Sequence, residues 1–212
     1  MIRHLVFDLD GTLVPSNDVK RAAFFTCVEG IDGAVEIVAS MLQTDPTRDR
    51  HRVFDELVQR LPASGDAAVL VRRYSVICHH RIVALLRAGA TDALLGALRG
   101  SGLTLHLSSG SPRNALVAIM RETGLERHFS SISGAPDAKA ASLVAIMQEH
   151  GLAATEVAVI GDGDSDADAA AAAGCAFLRV VEDASELHGR SAEEGLAFLR
   201  ERLGLKVHGA AA

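Results

Sequence analysis

The chain has 212 residues, 49% of them hydrophobic and 23% charged, with a net charge of −6. That size suits one large or two small domains with a buried core. The acidic balance argues against nucleic acid as a partner, and no apolar stretch reaches the length that crosses a bilayer. The three cysteines, Cys27, Cys78 and Cys175, match neither a zinc spacing nor a disulfide framework, and the chain enters an apolar run at once. These features predict a cytoplasmic protein without membrane or nucleic-acid partners, working as a monomer or small homo-oligomer.

Ile2 to Phe7 is a short apolar run that predicts a buried strand. It ends in two carboxylates, Asp8 and Asp10, followed by a Gly11-Thr12 turn. Alternate residues of a strand point the same way. The pair can therefore project together from the carboxyl end of the strand, where open α/β sheets bind ligands. Two adjacent acids repel unless one is protonated or a cation lies between them. Taken alone, a pair of turn-capping aspartates explains this short motif equally well.

Residues 16–89 exceed what one crossover needs. Leu, Val, Ala and Arg recur there at three- and four-residue intervals, which predicts helices over Asp18–Glu29, Val35–Leu42, Arg48–Arg60 and Asp66–Arg87. Turn signals at Gly30, Asp45-Pro46, Leu61-Pro62 and Gly89 separate them. This stretch holds ten Lys/Arg and nine Asp/Glu, against eleven and eighteen in the remainder. An acidic body with a near-neutral, arginine-rich insert fits a metal site covered by a lid that meets an anion, and equally fits an accident of surface charge.

Asp92 to Arg99 predicts the crossover helix, and strands follow near 104–108, 131–133, 157–160 and 176–180, with helices between. That alternation predicts an α/β fold, a parallel sheet with helices on both faces. The alanine-rich run Ala167–Ala173 reads as a helix that Gly174 terminates. Three of these elements end in polar clusters. Leu103–Leu107 runs into Ser108-Ser109-Gly110-Ser111-Pro112-Arg113. Lys139 follows a Gly-Ala-Pro turn after the third strand. Val157–Ile160 ends in Gly161-Asp162-Gly163-Asp164-Ser165-Asp166. The last run hints at a calcium loop, but the required glycine is Ala167 and the bidentate acid is Ala173. His79 and His80 are adjacent on a helix and face different ways, so they are poor joint metal ligands.

In this order, acids, hydroxyl, lysine and acids at successive strand ends, the chain resembles the haloacid dehalogenase superfamily of phosphohydrolases. The resemblance covers roughly everything outside residues 16–89. It implies a Rossmann-like core of residues 1–15 and 90–212, with 16–89 inserted as an all-α cap. It implies that Asp8 is the nucleophile, forming an aspartyl phosphate, and that Asp10 is the general acid and base, with a raised pKa in the working complex. Mg2+ would be held by the Asp8 carboxylate, Asp162 and the backbone carbonyl of Asp10. Asp166 would act one layer behind. Ser109 would donate to the phosphoryl group, with the Gly110 amide at a helix N-terminus, although Ser108-Ser109 also suits plain helix capping ahead of Pro112. Lys139 would neutralise Asp8 and the phosphate.

Within the superfamily, Asp10 argues against the dehalogenase and phosphonatase branches. The β-phosphoglucomutase branch carries a histidine twelve residues after the nucleophile, where this chain has Lys20. Phosphoglycolate-phosphatase-like enzymes fit best, with Pro15 departing from the aspartate they often have after DGTLV. The resemblance thus implies a phosphatase acting on a small phosphorylated metabolite, of phosphoglycolate or sugar-phosphate type. A phosphosugar mutase and a catalytically silent binding protein are the alternatives. Lys20 on the first cap helix, and Arg48 and Arg52 one turn apart on another, are candidates for reading the substrate's leaving group. A solvated helix face is the plainer account of Arg48–Arg52.

Overall fold

The structure, a computed structural model, describes residues 1–46, 48–181 and 187–205. Its described residues include five parallel strands: β1 (His4–Phe7), β2 (Thr104–Pro112), β3 (Phe129–Ala135), β4 (Val157–Gly161) and β5 (Ala176–Arg179). They form one sheet in the order β3-β2-β1-β4-β5. All four residues of β1 are buried, as a central strand covered on both faces requires. The chain winds outward from β1 through β2 to β3, then returns to place β4 on the other side of β1. The order therefore reverses beside β1, and ligands bind at such a switch point, outside the carboxyl ends of the strands.

By their internal contacts the residues separate into two compact units, Met1–Pro15 with Val83–Ala212, and Ser16–Ile82. The second is helical: α1 (Asn17–Val28), α2 (Ala34–Thr44), α3 (Arg50–Arg60) and α4 (Ala67–Ala88), whose last turns count with the first unit. Phe24, Phe54 and Tyr74 pack as an aromatic triad with ring centroids 4.5 to 6.1 Å apart, which favours tilted and edge contacts. Cys27 of α1 ties that helix to α4, its carbonyl accepting from Arg73 Nη1 at 3.1 Å. Helix α3 starts two residues later than the periodicity predicts. The Asp49 side chain accepts from the amides of His51 and Arg52, at 2.9 and 3.3 Å, and so caps the helix there. Arg48 is thus outside the helix, and the expectation that Arg48 and Arg52 lie one turn apart on it is corrected.

In the first unit, α5 (Thr91–Gly100), α6 (Arg113–Thr123) and α9 (Ala192–Leu203) cover one face of the sheet, and α7 (Lys139–His150) and α8 (Asp164–Ala173) the other. Val6, Val157 and Val159 of the sheet pack with Leu143 and Ile146 of α7 and Ala170 of α8. The alanines of α8 let that helix lie close to the strands, and Gly174, at φ 70°, ends it. Helix α8 begins at Asp164, three residues before its alanine run. Asp164 and Asp166 therefore occupy its first turn, where acids meet the positive end of the helix dipole.

Strand β2 also differs from its predicted extent. It continues past Ser108 to Pro112, shifting register against β3 between Ser109 and Pro112. A side chain at Gly134 of β3 would come within 2.6 Å of the Ser111 carbonyl and 2.9 Å of Arg113 Cα, so only glycine lets β3 pass there. Gly110 is consequently a strand residue three positions ahead of α6, not a helix N-terminus, and Ser108 and Ser109 do not cap that helix.

Candidate active site

At the end of β1 the Asp8 amide still bonds the Ile160 carbonyl of β4, at 2.9 Å. Beyond it the chain closes a tight turn. The amides of Thr12, Leu13 and Val14 all donate to the Leu9 carbonyl, at 2.9 to 3.3 Å, and Gly11 takes the left-handed φ of 75° that this reversal needs. Asp8 and Asp10 are left buried, 5% and 9% exposed.

The two aspartates have different partners. Asp10 meets the end of β2: Ser111 Oγ donates to Asp10 Oδ2 at 2.8 Å and Ser109 Oγ at 3.5 Å, while Ser109 Oγ accepts from the Ser111 amide at 3.1 Å. Asp8 meets α7 and α8. Lys139, the first residue of α7, places Nζ 3.2 Å from Asp8 Oδ1 and 2.7 Å from Asp166 Oδ1. Asp8, Asp162 and Asp166 offer oxygens that all lie within 4.8 Å of one another. Asp162 sits in the turn between β4 and α8. Asp166, expected one layer behind, is the third member of this cluster. Gly161 makes that position possible, because a Cβ there would stand 2.3 Å from Asp166 Cγ.

Burial pushes the Asp8 carboxyl up to about 7; the charges of Asp166 and Asp10 push the same way, and Lys139 opposes them. Asp166 is raised as well, by burial first and then by Asp162, again against Lys139. Burial pulls Lys139 down, but Asp8 and Asp166 outweigh it and hold the ammonium above its ordinary value. One lysine thus serves more carboxylates than it can neutralise. The deficit is visible atom by atom. Asp166 Oδ2 is buried without a hydrogen-bond partner, and Asp8 Oδ1 shares with Asp166 the one ammonium of Lys139, 3.2 Å away. Unbonded buried carboxylate oxygens are costly. Three such acids around one point form the hard oxygen set that suits Mg2+.

Two residues here escaped the sequence reading. Ser111 makes the shorter bond to Asp10, and only the register shift in β2 brings it there. Arg179, the last residue of β5, donates from Nη1 to the Asp162 carbonyl at 2.6 Å and from Nη2 to Asp164 Oδ1 at 2.8 Å. Asp164 thereby gains a partner.

The remaining candidates lie in the helical unit. Lys20 is on α1, half-buried, its amide bonded to the Ser16 carbonyl at 2.8 Å. Arg48 pairs with Glu56 and approaches Asp45 at 4.0 Å, and Arg52 stands 3.6 Å from Asp49. Acids of their own unit answer both arginines.

A model of haloacid dehalogenase-like hydrolases matches residues 2–174, a span that contains all four polar strand ends. The chain belongs to the haloacid dehalogenase-like hydrolase family. Solved structures share the fold of this family member. A protein of Thermotoga maritima assigned as a beta-phosphoglucomutase is 16% identical with a TM-score of 0.68, over 94% of this chain and 99% of that one. A predicted phosphoglycolate phosphatase of Haemophilus somnus is 19% identical with a TM-score of 0.60, over 84% of each chain. The HAD-hydrolase YfnB of Bacillus subtilis, solved bound to magnesium, is 17% identical with a TM-score of 0.62, over 84% and 86%. At such identities the likeness concerns the fold. Among curated proteins, none matches the sequence.

Proposed function

We propose that this hydrolase is a Mg2+-dependent phosphatase that cleaves a small phosphorylated metabolite, of phosphoglycolate or sugar-phosphate type, through an aspartyl phosphate on Asp8. The observation that carries this reading is the contrast between the two aspartates. Asp8 stands with Lys139 and the acid cluster, whereas Asp10 stands with hydroxyls. Two carboxylates in different surroundings take different roles.

Asp8, Asp162 and Asp166 would hold Mg2+, which screens the repulsion between carboxylates and a phosphate dianion when bound. An Asp8 oxygen attacks phosphorus, and the bond from phosphorus to the ester oxygen breaks. Asp10 enters protonated and gives that oxygen its proton, so the alcohol leaves neutral. Asp10, now a carboxylate, takes a proton from water. The water oxygen attacks phosphorus, the Asp8–phosphorus bond breaks, and inorganic phosphate leaves. Ser109 and the Gly110 amide donate to the phosphoryl oxygens. Lys139 holds Asp8 in place and offsets the negative charge. The helical unit serves as the cap that reads the leaving group, with Lys20 as its first candidate.

A phosphosugar mutase is the second reading. The Thermotoga maritima neighbour supports it, and Lys20 at the position of the mutase branch's cap histidine weighs against it. A screen of phosphorylated metabolites with Mg2+, scored both for free phosphate and for isomerised ester, separates the two. Stoichiometric phosphate supports the phosphatase; an isomer without phosphate supports the mutase; neither from any ester supports a silent binding protein.

A further inference from the structure

We propose that Arg179 is a positioning residue that sets the loop carrying Asp162 for cation binding; the proposal rests on the reading of Asp8, Asp162 and Asp166 as a divalent-cation site. The loop is irregular. It leaves β4 at Gly161 and enters α8 at Asp164, and its capping residue, Gly163, has no side chain with which to hold the turn. Strand β5 supplies the fixing points instead. Arg179 pairs in register with Gly161. The Val180 amide donates to the Gly161 carbonyl at 3.0 Å. The Arg179 guanidinium then reaches one and three residues further, to the Asp162 carbonyl and the Asp164 carboxylate. Three bonds from two adjacent residues thus hold the loop at residues 161, 162 and 164.

The guanidinium is itself held, lying 5.5 Å from the centroid of the Phe177 ring on the same strand. Asp164 is almost fully exposed, so its ion pair contributes little. The bond to the Asp162 carbonyl is the consequential one. It is charge-assisted, and it fixes the peptide from which the Asp162 carboxylate projects. Mg2+ tolerates small errors in ligand position poorly, because it demands near-octahedral geometry. Partners that orient a ligand without touching the metal typically change metal affinity about 10–100-fold when removed. A planar two-armed donor is needed to hold a carbonyl and a carboxylate at once, which an ammonium on a flexible stem does not replace.

The test is a Mg2+ titration of the full chain, read as the rise in melting temperature over the chelator-treated protein. A Mg2+ activation curve for phosphate release accompanies it. Arg179→Ala should weaken Mg2+ about tenfold or more while melting close to wild type in chelator, and saturating Mg2+ should restore most of kcat. Arg179→Lys should recover part of the affinity. If Arg179→Ala melts far below wild type in chelator, Arg179→Gln, which keeps the stem near Phe177, takes its place. Unchanged Mg2+ affinity in the folded variant overturns the proposal. A wild-type protein that neither binds nor needs Mg2+ overturns the cation-site reading itself, and the proposal with it.

Discussion

Gly161 and Asp166 are fitted to each other. The carboxylate of Asp166 fills the space that a Cβ at residue 161 would need. Gly161→Ala must therefore expel Asp166 from the acid cluster or move β4, and the carboxylate, being the softer element, yields first. The expected result is a folded protein with at least tenfold weaker Mg2+ activation; unchanged activation would place Asp166 outside the cation site. Asp8 gives the complementary case. Its carboxylate is buried beside Asp10 and Asp166, whose charges Lys139 offsets only in part. Asp8→Asn removes that charge at nearly constant shape, so hydrolysis should vanish while the melting temperature in chelator stays at or above the wild-type value. The four motifs together pointed to both aspartates, since turn capping explains the pair alone equally well, and their place at a strand end was legible in the apolar run before them. Ser111 was not, because its position depends on a shift of strand register that no local pattern announces.

Histidines couple β1, β2 and α7 at the level of elements. His4 Nδ1 and His106 Nε2 share a hydrogen bond of 3.0 Å, His106 Nδ1 reaches Ser131 Oγ at 2.8 Å, and the exposed His150 ring lies 5.0 and 5.3 Å from the other two. Burial lowers His106 to about 4, and the charges of His4 and His150 push it the same way. His4 is lowered too, by burial first, then by His150 and Arg3, with Glu156 opposing. Between about 4 and 6.5 the unfolded chain binds a proton at His106 that the folded chain refuses. The His106 contribution is therefore complete above pH 6.5 and falls as pH drops toward 4, while Asp8, raised to about 7, contributes with the opposite sign. The urea midpoint of the wild type, taken relative to that of His106→Gln, should decline from pH 7 to pH 5; the same pH dependence in both proteins would remove His106 as a contributor. The parallel sheet with helices on both faces followed from the alternation of apolar runs and periodic segments, whereas the strand order came only with the structure. Element ends were harder, for stated reasons: Asp49 starts α3 late, acids start α8 early, and a bulge prolongs β2.

For the whole molecule, the proposed reading of the carboxylates at the ends of β1 and β4 as a cation site predicts an activity that depends on a divalent ion. Hydrolysis should be lost in chelator and restored by Mg2+. Ca2+ should inhibit, because its higher and looser coordination misplaces Asp8; full activity in chelator would favour metal-free chemistry. Specificity is proposed to lie in the helical unit, the strand-end residues being proposed to answer the phosphate common to all esters. Lys20→Ala should lower kcat/KM for an acidic or sugar phosphate by ~1–3 kcal/mol and hardly touch an aryl phosphate. Equal losses on both would assign Lys20 to the fold. The substrate itself was not legible, because the residues proposed to read it lie in the insert, where the spacing follows ordinary helix periodicity. The most direct test of the account is chemical capture of the intermediate. The protein is quenched during turnover of a phosphorylated substrate with Mg2+ and treated with borohydride, which reduces an acyl phosphate to an alcohol. Peptide mass spectrometry should find homoserine in place of Asp8, and only when substrate and Mg2+ are both present. Phosphate release with Asp8 left intact, or reduction at a different carboxylate, would contradict the assignment of Asp8 as the nucleophile.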